Sequence, residues 1–360
     1  MHDVLQNSYR RQLLLGGVAA ASLGAAPSLV AVPPPSRHKI LEALAAEEQP
    51  GMAAAVLQRG ILLGCGATGV RNDSTHARVT ETTVFEIGSI TKVFTALLVH
   101  QAHERKRLDV GAPVGRYVPS LPAAWQSVKL QQLLSHTSGV PNYLSEDNFL
   151  NLMPTSPTPE ALIAMAAERP VESAPGTRFA YSNTNYILRG LALEHACGQR
   201  YWDLLAKEIL VPVGMTCAGP RLPFDTRPIA QGHLFRDGRW IAPVITAPGA
   251  AWAAGGLLAS LEDVTKFLIA LDRDEILPRR SLQKMWLDTT LADGSGAGWG
   301  AGWELANGGA VVGHGGGTAG FTAYLRHVPS LRRSTIVLIN RAGDINPQAI
   351  AERIDKAAGG

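Results

Sequence analysis

Patterns typical of β-strands occur near both ends of this 360-residue chain, whereas residues from about 104 to 234 favour helices separated by loops rich in Pro and Gly. The sequence predicts an N-terminal hairpin and three C-terminal strands, over residues 52–57, 61–63, 310–313, 321–327 and 335–339. Strands from opposite ends of a chain can share a sheet when the chain between them leaves and returns. We therefore predict an α+β fold with one sheet built from both ends and a helical lobe inserted.

The clearest helix is predicted over residues 89–103. Its apolar positions recur with the period of an α-helix, at Ile90, Val93, Phe94, Leu97 and Leu98. Further helices are predicted over residues 39–48, 185–195, 261–271 and 347–358. We therefore predict an α/β lobe formed by residues from about 36 to 103 and from about 235 to 360, and an all-helical lobe formed by residues from about 104 to 234.

The composition supports a globular chain with a sizeable core. Hydrophobic residues make up 46% and charged residues 18%, which excludes a disordered chain and a coiled coil. The net charge is +3, and no run of five basic residues occurs. A nucleic-acid partner is therefore not expected.

The N-terminal segment has the features of an export signal. Arg10-Arg11 precedes an apolar run of small residues that continues to Val32, and three prolines follow. This order is similar to a twin-arginine signal, so we predict that residues 1–31 are removed near Ala26 or Ala31. Residues 32–360 would then be periplasmic or secreted, with no stable membrane insertion. The alternative is an uncleaved anchor, because the apolar run is about long enough to span a bilayer.

The cysteines allow at most one internal disulfide. Cys197–Cys217 is the pairing that export would permit, and small buried thiols, with Cys65 as the third, are the interpretation that we favour. No CxxC pair is present, which argues against a zinc or redox-cysteine site.

The first candidate for catalysis is Ser89 with Lys92, directly after Gly88. Three residues along a helix is about one turn, so the two side chains share a face, and burial of the amine would let it act as a base toward the hydroxyl. The same spacing begins at Ser36 and Ser281, but only Ser89 opens a strongly apolar helix. The alternative is structural: the serine caps the helix and the lysine reaches solvent.

Two further elements are weak when taken separately. Tyr181 can relay a proton, and Asn183 offers a donor and an acceptor to a substrate amide. The alternative is that Asn183 or Ser182 caps the helix and that Tyr181 packs in the core. The segment from His314 to Gly317 is rich in glycine, so a ligand could approach its backbone closely, and a backbone N–H there could complete an oxyanion hole with that of Ser89. The alternative is a glycine-rich turn with an ordinary histidine.

Other catalytic motifs are absent from the sequence. It contains no G-x-S-x-G nucleophile elbow, no H-E-x-x-H zinc motif and no G-x-x-x-x-G-K-[ST] phosphate loop. No metal and no organic cofactor is expected.

Taken together, the three elements resemble one known group of enzymes. Ser89-x-x-Lys92, Tyr181-x-Asn183 and His314-x-Gly316 occur in the order typical of the penicillin-recognising serine hydrolases. This family includes class C β-lactamases, D-Ala-D-Ala carboxypeptidases and family VIII esterases. Further segments similar to the family's are residues 84–92, 133–140 (LLSHTSGV), 212–215, 253–257 and 313–321.

The resemblance implies a β-lactamase/transpeptidase-like fold, with an antiparallel sheet flanked by helices, an all-helical lobe and the site between them. Ser89 would form an acyl-enzyme that water releases, while Lys92 and Tyr181 move the proton. The remaining residues would bind substrate: Asn183 orients it, His314 supports Tyr181, and the N–H groups of Ser89 and Gly317, beyond Gly316, hold the oxyanion.

The third element departs from the family pattern. β-Lactamases of this shape usually carry Lys-Thr-Gly, where this chain has His314-Gly315-Gly316. The change removes a positive charge and a hydroxyl that would bind a substrate carboxylate, and Thr318 is the nearby candidate to replace the hydroxyl.

This departure leaves several activities open. A D-Ala-type peptidase or amidase and a carboxylesterase rank equally, with a small-molecule or peptidoglycan-type substrate. A weak β-lactamase ranks below them, as does a penicillin-binding sensor that acylates without turnover. The sequence carries no sign of an oligomeric state.

Overall fold

The computed structural model describes residues 34–45, 50–152, 155–236, 238–241 and 250–359. All of them belong to one compact unit, residues 32–360. The predicted export signal lies outside the described residues. Within the described part of the chain, no helix is both long enough and apolar enough to cross a bilayer.

Strands come from both ends of the chain, as predicted. In chain order they are β1 (Gly51–Gln58), β2 (Ile61–Asn72), β3 (Ala77–Arg78), β4 (Val84–Glu86), β5 (His233–Arg236), β6 (Arg239–Ile241), β7 (Leu258–Ser260), β8 (Glu304–Ala306), β9 (Val311–Gly317), β10 (Thr322–Val328), β11 (Arg333–Ile339) and β12 (Arg341–Gly343).

Helices occupy most of the chain between the two groups of strands. In chain order they are α1 (Pro34–Ala45), α2 (Thr91–Glu104), α3 (Leu130–Leu134), α4 (Glu146–Leu152), α5 (Pro159–Ala167), α6 (Thr184–Cys197), α7 (Tyr201–Leu205), α8 (Val211–Val213), α9 (Trp252–Gly255), α10 (Leu261–Asp272), α11 (Arg279–Met285) and α12 (Pro347–Ala357).

The main sheet joins the two ends of the chain. Its seven strands have the order β3-β2-β1-β11-β10-β9-β8, and every neighbouring pair is antiparallel. The joint lies between β1 and β11, where Met52 is opposite Ile339. The predicted α+β fold is therefore confirmed, whereas the division into lobes at residues 104 and 234 stays a prediction.

Two smaller sheets complete the described strands: β12-β5-β6, in which β12 and β5 are parallel, and the pair β4-β7. None of these strands is predicted from the sequence. They are three or four residues long and pair with distant segments, so they are too short to produce a periodic pattern.

The central strand β1 is buried on both faces, because its side chains alternate between two apolar layers. Ala53, Ala55 and Leu57 belong to the larger core, which also contains the apolar side of α2. Met52, Ala54 and Val56 belong to a smaller core formed with α1 and α12. The helix that carries Lys92 is thus part of the main core.

Some element boundaries differ from the predictions. Ser89 lies in a 3₁₀ turn, Gly88–Ile90, that precedes α2, rather than in the α-helix itself. The predicted strand 310–313 continues through Gly317, because His314 pairs with Leu325 of β10. The glycine-rich segment is therefore a strand rather than a turn.

None of the three cysteines forms a disulfide. The Cys197–Cys217 disulfide considered from the sequence is not formed, and all three cysteines are partly exposed rather than fully buried.

Strand β9 passes very close to the turn that carries Ser89, and glycine makes this approach feasible. A Cβ atom on Gly316 would lie 2.1 Å from the carbonyl oxygen of Ile87. Gly88 has a φ of +51°, and a Cβ there would lie 2.6 Å from the backbone nitrogen of Gly317. The position of the turn against β9 therefore depends on these two glycines.

We expect Gly316→Ala to lower the free energy of unfolding by about 1–3 kcal/mol, because the added methyl group overlaps the Ile87 backbone. Gly317→Ala is the matched control, since a Cβ on Gly317 meets no atom within 4 Å. Urea denaturation of the two variants measures the difference. Equal stabilities would contradict the close approach.

Candidate active site

The amine of Lys92 joins three separate segments of the chain. Its Nζ lies 3.0 Å from Ser89 Oγ, 2.8 Å from Asn183 Oδ1 and 2.6 Å from the carbonyl oxygen of Ala254. The side chain is fully buried. The predicted first element and Asn183 of the second element are therefore in direct contact.

Three oxygens surround this amine, and they can satisfy the three donors of its ammonium form as well as the two of its neutral form. The Asn183 and Ala254 oxygens accept hydrogen bonds, so they use the two N–H groups of a neutral amine. The nitrogen lone pair is then available for the Ser89 hydroxyl, which can donate to it. A protonated Lys92 would have no lone pair and could not take a proton from the serine.

Burial lowers the pKa of Lys92 well below its ordinary value, and the nearby positive charge of Arg189 lowers it further. Both effects disfavour the ammonium form. The side chain therefore has the chemistry of a base rather than that of a fixed cation.

Tyr181 lies beside the same pair. The Lys92 Nζ is 4.9 Å from the centroid of its ring. Burial raises the pKa of the Tyr181 phenol above its ordinary value, although a hydrogen bond with Ser89 lowers it in part. The phenol is therefore protonated near neutral pH and can give a proton to a leaving group.

His136, from the LLSHTSGV segment, packs against the ring of Tyr181. The two rings are stacked with centroids 4.3 Å apart, and His136 Nδ1 accepts a hydrogen bond of 3.1 Å from the Ser182 N–H. Desolvation and the charges of Arg189 and Lys92 lower the pKa of His136 well below its ordinary value. This neutral ring therefore fixes both the position of Tyr181 and the backbone that follows it.

His314 is buried next to this group. Its ring centroid is 6.4 Å from that of Tyr181 and 5.4 Å from that of Trp299, while Nδ1 donates to the Gly315 carbonyl at 2.6 Å. Burial, followed by the charge of Lys92, lowers the pKa of His314 from 6.5 to about 3. The residue that replaces the family's lysine is therefore uncharged near neutral pH.

The backbone of β9 offers a donor near Ser89. The Thr318 N–H donates to the Phe321 carbonyl at 3.0 Å, toward β10. Because successive N–H groups of a strand point in opposite directions, the Gly317 N–H points away from β10, toward the turn at Gly88. This is the orientation that an oxyanion hole shared with Ser89 requires.

A cleft of about 710 Å³ begins at Gly317 and Thr318. Its wall is mostly apolar, with Leu144, Phe149, Leu150, Leu234, Ala319 and Phe321 among the lining residues. Of the described residues that line it, only Glu146 carries a charge. The Thr318 hydroxyl is buried, and no described residue is its hydrogen-bond partner. The cleft therefore contains a candidate hydroxyl but no described cation.

Four groups of this site are not predicted from the sequence. They are His136, the Ala254 carbonyl, Arg189 and Asn142, whose side-chain oxygen accepts the Asn183 N–H at 2.9 Å. The segments around residues 136 and 254 resemble the family's, but the sequence assigns no role to His136 or Ala254. Nothing in the local sequence indicated that Arg189 would be buried.

Comparison with known proteins identifies the family. The model of the family described as Beta-lactamase matches residues 37–359, which is nearly all of the described chain. The chain belongs to the beta-lactamase family. Its fold is the β-lactamase/transpeptidase-like fold that the resemblance implied.

Individual relatives carry several names. The chain is 30% identical over 306 residues to penicillin-binding protein 4 of Amycolatopsis lactamdurans, which covers 78% of both chains. It is 29% identical over 302 residues to the D-aminopeptidase of Gluconobacter oxydans, covering 81% of this chain and 56% of the relative. It spans only 54% and 61% of the length of two penicillin-binding proteins from Bacillus subtilis.

Solved structures agree on the fold. The octameric penicillin-binding protein homologue from Pyrococcus abyssi is 31% identical with a TM-score of 0.73, covering 87% of this chain and 74% of that chain. The D-amino acid amidase from Ochrobactrum anthropi, complexed with L-phenylalanine amide, is 24% identical with a TM-score of 0.77, covering 90% and 98%.

Because folded His314 stays neutral, we expect the free energy of unfolding to fall in acid. In the unfolded chain a histidine takes up a proton below pH 6.5, whereas folded His314 takes it up only near pH 3. Its contribution to the free energy of unfolding is therefore complete above pH 6.5. As the pH falls from about 6 to 4, we expect a loss of about 1.4 kcal/mol per pH unit.

His314→Asn should remove this part of the slope, because the asparagine amide can still donate to the Gly315 carbonyl but does not titrate. The exposed His76 provides the control, His76→Asn. Denaturant unfolding at several pH values tests the prediction, which fails if the two variants retain the same pH dependence.

Proposed function

We propose that the chain hydrolyses small amide or peptide substrates through an acyl-enzyme on Ser89. The support is the contact of 3.0 Å between the Ser89 hydroxyl and a buried Lys92 that favours its neutral form. In the first step the serine oxygen bonds to the substrate carbonyl carbon, and its proton moves to the Lys92 nitrogen. The carbonyl oxygen becomes an oxyanion, held by the N–H groups of Ser89 and Gly317.

Collapse of this intermediate breaks the bond to the leaving group, which needs a proton. Tyr181 gives its phenolic proton to the leaving nitrogen and is reprotonated from Lys92. Water then attacks the acyl-enzyme, with the same groups moving protons in reverse, and releases the acid. The side-chain oxygen of Asn183 accepts a hydrogen bond from Lys92, so the amide N–H₂ of Asn183 is available to orient the substrate.

His314 stays neutral in this scheme. It packs near Tyr181 and contributes shape and polarity rather than charge. Gly316 serves by letting β9 approach the turn that carries Ser89.

The cleft is mostly apolar, and Glu146 is its one carboxylate among the described residues, which favours one class of substrate. A substrate carboxylate would find no described cation along the cleft, and His314 supplies none at neutral pH. Substrates that carry an apolar group and a free amine suit the wall and Glu146 better. Relatives named D-aminopeptidase and D-amino acid amidase are consistent with this choice. Penicillin and peptides that end in a carboxylate suit the cleft less well.

We further propose that the enzyme is exported by its twin-arginine-type N-terminal segment, residues 1–31. The support is the sequence pattern around Arg10-Arg11. The substrate would then lie in the periplasm or outside the cell, and the mass of the mature protein tests the cleavage.

The role of Ser89 predicts a covalent intermediate. The three compounds to be tested are a labelled penicillin, p-nitrophenyl butyrate and D-phenylalanine p-nitroanilide. Intact-protein mass spectrometry should detect covalent adducts, and hydrolysis followed in parallel should detect turnover. Both should disappear in Ser89→Ala. Ser281→Ala, at a second S-x-x-K match, is the control and should keep full activity.

The three compounds distinguish the candidate activities. Turnover of the anilide is the expected result. Turnover of the ester alone would indicate a carboxylesterase, and a stable penicillin adduct without turnover would indicate a sensor. Activity that survives in Ser89→Ala would refute the acyl-serine mechanism.

The charge of Glu146 predicts substrate preference. Glu146→Gln should lower kcat/KM for D-phenylalanine p-nitroanilide about 2–5-fold, the effect of an exposed ion pair worth up to about 1 kcal/mol. For the N-succinyl derivative of this anilide, which is an anion, kcat/KM of Glu146→Gln should rise. Asp147→Asn is the matched control, because Asp147 is the next residue, is also exposed and does not line the cleft. Equal effects in the two variants would contradict the assignment.

A further inference from the structure

Arg189 is a buried cation without a counter-ion in the described structure. It lies on α6, six residues after Asn183, and its side chain has no exposed surface. None of its guanidinium nitrogens forms a hydrogen bond of normal geometry with a described residue. The Tyr186 hydroxyl is nevertheless near enough to raise the pKa of Arg189. Burying a charge in this way is costly, which raises the question of what the charge does.

The guanidinium and the Lys92 amine both contact one aromatic ring, that of Tyr186. Arg189 Cζ is 3.8 Å from the centroid of the Tyr186 ring, and Lys92 Nζ is 5.4 Å from the same centroid. The Tyr186 hydroxyl donates to the Leu134 carbonyl at 3.3 Å, which holds the ring in place. The ring offers partial compensation to both cations, and no carboxylate among the described residues forms an ion pair with either of them.

Two buried cations that face one aromatic ring repel each other, so the weaker acid of the two keeps its proton. Burial lowers the pKa of Arg189 to about 10, which leaves it charged at neutral pH. Lys92 is therefore the group that loses its proton. A cation next to a catalytic lysine is one known means of producing a neutral amine.

No other described group near Lys92 supplies this charge. Ser89, Asn183 and the Ala254 carbonyl are neutral. Burial keeps Tyr181 and Tyr186 as phenols and keeps the remaining titratable neighbours, His136 and His314, uncharged near neutral pH.

We propose that Arg189, stacked on Tyr186, is a positioning residue that holds Lys92 in the neutral form that Ser89 requires. This inference rests on the proposed function, because it assigns a cause to the basicity of the Ser89–Lys92 pair. Arg189 itself touches neither the substrate nor the reacting atoms.

The test compares Arg189→Met, which removes the charge and keeps an apolar chain of similar length, with Arg189→Lys, which keeps the charge. The readout is the rate at which a fluorophosphonate labels the active serine between pH 5 and 10, since this probe does not depend on the natural substrate. We expect the midpoint of the acid limb to rise by about one pH unit or more in Arg189→Met. At pH values below the wild-type midpoint the rate should then fall about tenfold, and it should recover at high pH.

Arg189→Lys should restore the wild-type profile, and the exposed Arg200→Met should leave it unchanged. A purely structural role would lower the rate equally at every pH, and that result, or an unchanged midpoint, would overturn the proposal. Labelling that persists in Ser89→Ala would instead show that the proposed function has failed.

A second measurement does not depend on activity or on one variant folding. Proteins with ¹³C-labelled lysine side chains allow the Lys92 resonance to be titrated directly by NMR, after assignment with Lys92→Met. In wild type, Lys92 should titrate far below the other lysines, and in Arg189→Met or Arg189→Gln it should move toward them. A wild-type Lys92 that titrates with the others would refute the inference.

Discussion

The burial of one lysine amine organises this site. Lys92 Nζ contacts Asn183, 91 residues further along the chain, and Ala254, 162 residues further. These contacts tie α2 to α6 and α9, while the apolar side of α2 packs into the main core. The same helix therefore serves both stability and chemistry, and its position relative to β9 depends on the absence of side chains at Gly88 and Gly316.

The groups around this amine are almost all neutral at physiological pH. Histidines and tyrosines that could carry charge in water are desolvated, which moves each pKa toward the uncharged form. Arg189 is the exception, and its charge acts on Lys92 rather than on the substrate. A site of this kind generates a nucleophile but offers little attraction to an anion, which agrees with an apolar cleft whose described charge is the carboxylate of Glu146.

Much of the fold could be predicted, because long elements carry periodic patterns. The β1–β2 hairpin, helix α2 and strands β10 and β11 were found within a few residues of their bounds, apart from β2, which continues to Asn72. The 3₁₀ turn at Ser89 and the short strands were missed, since their conformations depend on pairing with distant residues. The extension of β9 through Gly317 likewise depends on its partner β10, because glycine has little strand preference of its own.

The sequence by itself determined the spacing of Ser89 and Lys92, because residues about one helical turn apart are neighbours whatever surrounds them. It also indicated the family, through the order of three short motifs. Only the tertiary structure decided that Tyr181 and Asn183 meet that pair and that Arg189 lies beside it. The tertiary structure also decided the protonation state of Lys92, because its pKa depends on the loss of water and on charges brought from distant parts of the chain.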